Sequence, residues 1–287
     1  MKIVILGARG NLGSQLDLVF KTDHEVFSFD REDFDVLDSD YLEQVLTEIR
    51  PNLVVNTVAY NQVDNCENKE GYELALILNR DLPATLGKLA IKLNFILAHY
   101  STDYVFSGLE SRPSFSENDT PNPINKYGES KFLGEIELKK LESRGLQYYL
   151  IRTSKLFGPN SDNPLAKPSF FDTMLKLAAT KDGLMAVNEE LSCFTYTPDL
   201  ASASARLLIA RPAPGIYHLI NEGAVTWFEG ANELFKIAKK EIKLRSIRSE
   251  DLARLARRPK FSVLENNKLK KMRPYKEALK DYLRIIL

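Results

Sequence analysis

Between residues 2 and 157, five short runs rich in β-branched and aromatic residues alternate with helical patterns of about ten residues or more. The runs are KIVIL, HEVFSFD, NLVVNTVAY, NFILAHYSTDYVF and YYLIRTSKLFG. Between them stand LGSQLDLVFK, YLEQVLTEIRP, ELALILNRDLPATLGKLAIKL (with a proline inside) and KYGESKFLGEIELKKLE. Strands joined through helices run parallel, with right-handed crossovers that cover both faces of one sheet. The expected fold class is α/β, a doubly wound parallel sheet. From about residue 157 the alternation loosens. Residues 158–169 hold three prolines, glycine, Asn and Ser, and helical patterns follow near 170–180, 199–210 and 228–240. GIYHLI at 215–220 is one further strand.

The turn after the first strand reads GARGNLG, with glycines at 7, 10 and 13. A strand, a tight turn and a helix N-terminus make an anion site, because the first helical N–H groups lack partners and carry partial positive charge. Gly7 permits the turn, Gly10 lets a pyrophosphate approach the backbone, and Gly13 lets helix and strand pack closely. Asp30 ends the second strand about twenty residues on, where an acid takes the adenosine ribose hydroxyls. This predicts a Rossmann-type dinucleotide-binding domain over 1–156, with a returning segment at about 196–218. A smaller C-terminal α/β substrate domain is expected mainly from 157–287. Arg9 and Arg31 flank Asp30 in sequence or in the turn. Guanidiniums favour a 2′-phosphate and the acid repels one, so NADPH and NADH both stand as the expected cofactor.

Composition excludes several classes. The 287 residues are 44% hydrophobic and 27% charged, enough for a large core. The 39 basic residues balance 39 acidic ones without a long basic run, so no nucleic-acid partner is expected. Cys66 and Cys193 are far apart and His24, His99 and His218 are scattered, so no metal site is expected and both thiols read as reduced. No apolar stretch is long enough to span a membrane, and the first strand begins too early to leave room for a cleaved signal peptide. A cytoplasmic location is expected.

Chemistry is carried by Tyr127 and Lys131, which share one face if 126–141 is a helix. A phenol titrates near pH 10, and a nearby ammonium lowers that value. Such a tyrosine exchanges a proton with a carbonyl or alcohol oxygen while a nicotinamide cofactor moves hydride at carbon. Thr102, at the end of the STDYVF strand, is the expected third group on that oxygen, with Ser101 as fallback. Asp103 follows, and strand alternation points it to the other face.

These pieces resemble the dTDP-4-dehydrorhamnose reductase family of extended short-chain dehydrogenases/reductases. The resemblance rests on GARGNLG, RPNLVVNTVAYNQVD, LNRDLPATLGKLA, HYSTDYVFSG, PNPINKYGESKFLGE, LIRTS, TPDLA, GIYHLI, VTWFEGA, RRPKFSVLENNKL and EALKDYL, along nearly the whole chain. It implies reduction of a 4-keto group on a nucleotide-linked 6-deoxyhexose, with Thr102, Tyr127 and Lys131 catalytic. It further implies that Gly7, Arg9, Gly10, Asn11, Leu12 and Gly13 line the pyrophosphate, and that Asp30, Arg31, Asp35 and Val36 lie near the adenosine. Thr57, Val58, Ala59 and Tyr60 then flank the cofactor, and Tyr104, Phe106, Lys155 and Arg258 lie on the substrate side. A small-molecule sugar nucleotide is the implied partner, and a homodimer is compatible. Three departures stand out. Lys155 replaces the family's tryptophan against the sugar, EELSCFT at 189–195 replaces Asp-Gln-x-Gly-x-Pro-Thr, and NTVAY replaces NAAAY. They leave the hydride chemistry intact and put the sugar in question. Arg258 reads equally as a phosphate ligand or a structural ion pair, and Trp227 as a packing residue of the second domain. The alternatives are a sugar-nucleotide epimerase or dehydratase with tightly held NAD, and a non-catalytic subunit resembling the regulatory subunit of methionine adenosyltransferase.

Overall fold

Lys2–Leu6 forms strand β1 in a computed structural model that describes residues 1–108, 113–161 and 167–287. Residues 109–112, and residues 162–166 of the proline-containing stretch noted above, lie outside the described residues. In chain order the elements are β1, α1 (Asn11–Phe20), β2 (Glu25–Phe29), α2 (Ser39–Ile49), β3 (Leu53–Asn56), α3 (Lys69–Leu76), α4 (Leu82–Leu93), β4 (Ile96–Thr102), α5 (Lys126–Lys140) and β5 (Tyr148–Thr153). They continue with β6 (Leu156–Phe157), α6 (Phe170–Ala178), β7 (Gly183–Val187), β8 (Ser192–Cys193), β9 (Thr195–Tyr196) and α7 (Thr197–Ala210). The last are β10 (Gly215–His218), β11 (Ala224–Val225), α8 (Trp227–Ile237), β12 (Lys243–Ile247) and α9 (Tyr275–Ile286).

The main sheet has six strands in the order β10-β5-β4-β3-β1-β2, and every pairing is parallel. β3 and β5 are buried throughout, which is why these runs read as continuous apolar stretches without a polar face. Side chains of β1 alternate between two cores. Ile3 and Ile5 pack with Leu16 of α1 and Leu200 of α7 on one face. Val4 and Leu6 pack with Leu42 of α2, Leu86 of α4 and Leu138 of α5 on the other. α7 packs on α1, and β10 extends the sheet beyond β5. A third core gathers Phe157, Phe171, Phe194, Leu234 and Tyr282 from α6, α8, α9 and the short strands. No helix among the described residues is long and apolar enough to cross a membrane.

Two elements differ from the sequence reading. The run YYLIRTSKLFG is not one strand. β5 stops at Thr153, Lys155 adopts a left-handed φ of 37°, and Leu156–Phe157 pairs with β9 in a separate sheet. The proline-containing helix of 73–93 is interrupted by a π-helical turn at Ile77–Asp81, just before Pro83. Proline cannot donate an N–H to the preceding turn, and the wider turn absorbs the mismatch. A Cβ at Gly134 of α5 would sit 2.1 Å from the Asn79 carbonyl oxygen, so the glycine allows α5 to lie directly on this turn.

A buried ion pair crosses the layer between sheet and helix. Arg152 of β5 donates to Glu135 of α5 through Nε (3.0 Å) and Nη2 (2.6 Å), with the two side chains 1% and 4% exposed. Glu135 also accepts from Ser101 Oγ (2.6 Å). Arg152 has only donors, so the His218 Nε2 at 3.4 Å accepts and Nδ1 donates to the Glu265 carbonyl (3.0 Å). Burial, and then the Arg152 charge, push the His218 imidazole down to about 3. Buried His99 is likewise held well below the usual histidine range by burial and Lys131. The unfolded chain therefore binds more protons below about pH 6.5, and folded stability must fall as pH falls from there toward 3, by about 1.4 kcal/mol per pH unit for each such histidine. Urea titrations across this window are expected to show a shallower slope for His218→Gln than for the wild type. Equal slopes would contradict the assignment.

Candidate active site

Gly7 and Gly13 meet the steric demands that their spacing predicts. Gly7 has φ 80°, and a Cβ there would meet Thr57 Oγ1 at 2.7 Å and the Val58 nitrogen at 3.1 Å. Gly10 caps α1 without a side-chain hydrogen bond, and a Cβ at that position would touch the Gly7 oxygen (3.3 Å) in otherwise open space. A Cβ at Gly13 would lie 2.1 Å from the Gly7 oxygen, so α1 packs against the turn only because this residue is glycine. The result is a cradle of backbone at a helix N-terminus, which a Cβ would fill and a pyrophosphate fits.

The residues around the turn divide by what they hold. The Leu12 side chain is buried in the first core and leaves only its backbone at the cradle. Asn11 Nδ2 donates to the Lys167 carbonyl (2.9 Å), tying the turn to the stretch before α6. The Thr57 hydroxyl lies within hydrogen-bond reach of the carbonyls of Leu6 (2.8 Å) and Gly7 (3.0 Å), so the residue that replaces alanine braces the turn. The stretch Thr57, Val58, Ala59 and Tyr60 leaves β3 partly exposed, steadied by Asn56 Oδ1 on the Val58 N–H (3.1 Å) and Asn79 Oδ1 on the Tyr60 N–H (3.0 Å). Asp30 accepts from the Arg9 N–H (2.8 Å) and the Arg31 N–H (2.9 Å). Asp35 is used by its own turn, accepting from the Leu37 N–H, and Val36 packs on the second core.

The second half of the site forms where β4 ends at Thr102 and α5 begins at Lys126. Asn125 caps α5 by accepting from the Gly128 N–H (2.7 Å). A Cβ at Gly128 would lie 2.1 Å from the Tyr104 oxygen, so glycine lets the helix start directly against the chain leaving β4. That contact brings the Tyr127 phenol to the Thr102 hydroxyl, which interacts with it, and sets the Tyr104 ring edge-on to Tyr127 at 5.9 Å. Ser101 is not available as a fallback, because its hydroxyl is committed to Glu135.

The electrostatics correct one expectation. Burial raises the Tyr127 phenol above its ordinary value, opposed by Thr102, and no lowering by Lys131 acts on it. The physical reason is where the ammonium points: Lys131 Nζ donates to the Tyr100 carbonyl (2.6 Å). Burial pushes Lys131 down to about 8, with Glu135 one turn on opposing. A second correction concerns Asp103. Alternation ends at Thr102, because Asp103 opens a 3₁₀ turn. Its buried carboxylate accepts from Thr102 Oγ1 (3.1 Å) and Ser262 Oγ (2.5 Å), and burial raises its pKa.

Lys155 is half-buried. Its ammonium lies 4.1 Å from the Trp227 ring centre and 5.0 Å from that of Phe194, and donates to the carbonyls of Glu190 (3.1 Å) and Val225 (3.4 Å). Burial pushes it down to about 8. The Glu190 carboxylate, buried, accepts from Trp227 Nε1 (2.9 Å), Ser249 Oγ (2.6 Å) and Arg254. Burial raises its pKa, but Arg254 and Ser249 outweigh that and hold it below the usual range. Two of the sequence departures, Lys155 and Glu190, are thus one packed unit with Trp227. Arg258 makes a double ion pair with Asp64 (2.5 and 2.6 Å), and its guanidinium holds the Asp64 carboxyl down at about 2. Phe106 offers no surface to a substrate. It is fully buried and stacked on Phe115 at 4.2 Å, because the 3₁₀ turn after Thr102 rotates it into a small core with Leu264. Among the described residues no group of three or more His, Cys, Asp or Glu side chains is placed to hold a metal ion. Sequence reading reached Glu190 only as part of the altered 189–195 segment and missed Arg254 and Asp64 as site-forming residues, since their partners lie 64 and 194 positions away.

Across its whole length, residues 1–287, the chain matches the family model described as the RmlD substrate binding domain. It belongs to the dTDP-4-dehydrorhamnose reductase family. Its relatives include the spore coat polysaccharide biosynthesis protein SpsK of Bacillus subtilis, 33% identical over 98% of this chain and 96% of the relative. The dTDP-4-dehydrorhamnose reductase of Streptomyces griseus is 34% identical, over 93% of this chain and 86% of that one. Among solved structures, the dTDP-4-dehydrorhamnose reductase of Bacillus anthracis in complex with NADP superposes with a TM-score of 0.90 at 30% identity, covering 99% of both chains.

Proposed function

We propose that the chain reduces the 4-keto group of a nucleotide-linked 6-deoxyhexose with NADPH or NADH. The observation that carries this reading is the meeting of the Tyr127 phenol and the Thr102 hydroxyl at the C-terminal edge of the sheet, with Lys131 one helical turn on. Ligands of open α/β sheets bind at that edge. The nicotinamide supplies the hydride when bound. Tyr127 donates its proton to the oxygen that becomes the alcohol, and its raised pKa keeps that proton in place at neutral pH. Thr102 holds the same oxygen through a hydrogen bond. Lys131, one helical turn on and fixed by the Tyr100 carbonyl, is the group to hold the nicotinamide ribose. Tyr104, Lys155 and Arg258 belong to the substrate side, with Trp227 and Glu190 setting the position of Lys155. The cleft lies between a cofactor domain of 1–156 with 196–218 and a substrate domain of the rest, a division supported by β10 and α7 joining the main sheet layer. A cytoplasmic location fits the buried, unpaired thiols of Cys66 and Cys193.

The test is oxidation of reduced dinucleotide in the presence of 4-keto-6-deoxy sugar nucleotides differing in sugar and base. Turnover with at least one, and none with the corresponding 4-hydroxy compounds, is expected. Dinucleotide oxidation that is independent of the keto group would contradict the reading.

A further inference from the structure

The coenzyme reading above leaves open which dinucleotide is preferred, and the inference here rests on that reading. After β2 the chain runs Asp30-Arg31-Glu32-Asp33. Asp30 is fixed by two backbone donors, the N–H groups of Arg9 and Arg31. Asp33 is fixed as well: one oxygen accepts from the Asp30 N–H (2.8 Å) and the other from Arg9 Nη2 (3.3 Å). Glu32 accepts from Arg9 Nη1 (3.1 Å) and lies 3.9 Å from Arg31 Nε. The guanidinium standing in the glycine turn is therefore held through both terminal nitrogens by two carboxylates. A third carboxylate, Asp30, stands where the ribose hydroxyls of an adenosine are taken in this kind of fold. Three acids against two guanidiniums leave this corner with one net negative charge.

We propose that Glu32 and Asp33 set the coenzyme preference of this chain toward NADH by withholding Arg9 from a 2′-phosphate. A phosphate dianion entering here must displace two carboxylates to reach Arg9 and then remain beside them and Asp30. A free 2′-hydroxyl faces no such conflict, since it donates to Asp30. The Arg9 ion pairs are half exposed, at 51% for the arginine side chain, so the preference is moderate and weakens with salt.

The test is calorimetric titration of the full chain with NADH and with NADPH, without sugar nucleotide. In the wild type at low ionic strength NADH is expected to bind about tenfold tighter, and the ratio narrows as salt is raised. Glu32→Gln with Asp33→Asn removes both charges, keeps both side-chain shapes and leaves an oxygen for the Asp30 N–H. This variant is expected to bind NADPH about tenfold tighter than the wild type does, with NADH changed by less than about twofold. Adding Arg9→Ala should cancel the gain. Tighter binding of NADPH than NADH by the wild type, or an unchanged ratio in the double variant, overturns the proposal while leaving the reductase reading intact. Binding of neither dinucleotide overturns both.

Discussion

Tyr127→Phe is expected to lower kcat by about a thousandfold while dinucleotide affinity stays within about twofold of the wild type. The phenol stands beside the Thr102 hydroxyl, and its burial keeps it protonated. Phenylalanine preserves the ring and its edge-on contact with Tyr104, so the fold has no reason to shift. What is lost is the proton delivered to the developing alkoxide, and positioned acid catalysis is worth about 10² to 10⁴ in rate. Thr102 cannot replace it, because an aliphatic hydroxyl is a far weaker acid than a phenol and holds the oxygen without giving up its proton. Rates with saturating substrate and binding isotherms for the dinucleotide, measured on both proteins, check the two halves separately. A kcat within about fivefold of wild type would remove the proposed role.

The second large effect is on folding. Glu135→Ala is expected to cost about 3–5 kcal/mol, because it leaves the Arg152 guanidinium buried without a counter-charge. It also strips the Ser101 hydroxyl of its acceptor. Replacing both partners by apolar residues of similar size, Glu135→Leu with Arg152→Met, removes the buried charges together and should recover most of that loss. Urea unfolding of wild type, single and double variants measures this. A double variant no more stable than the single one would show that the pair contributes more than mutual neutralisation. Because Glu135 lies one turn beyond Lys131 on α5, the single variant is also expected to lift the lowered Lys131 pKa less, leaving the ammonium easier to deprotonate.

The central sheet was legible in the sequence because its strands are short, apolar on both faces and separated by helices, and the glycine turn was legible because each glycine answers a separate steric demand. The tyrosine and lysine were legible for the same reason: helical spacing is local. Lys155 was not. Its left-handed backbone breaks what reads as one strand, and its partners Trp227 and Glu190 come from elements far along the chain. Asp103 misled because alternation holds only while the strand lasts, and the strand ends one residue earlier. The direction of the Tyr127 shift also escaped sequence reasoning. A lysine four residues on lowers a phenol only if its ammonium faces it, and here the Tyr100 carbonyl takes that ammonium. Arg258 had two readings open, and Asp64, on the loop after β3, accounts for its guanidinium in this structure.

The most direct measurement is the structure of the protein with reduced dinucleotide and an unreactive 4-keto sugar nucleotide analogue bound together. The account predicts that the C4 oxygen of the sugar accepts hydrogen bonds from both the Tyr127 phenol and the Thr102 hydroxyl, with the pyrophosphate of the dinucleotide on the backbone from Gly7 to Gly13. A sugar seated with its C4 oxygen away from both hydroxyls, or a dinucleotide that leaves the glycine turn uncontacted, would contradict it.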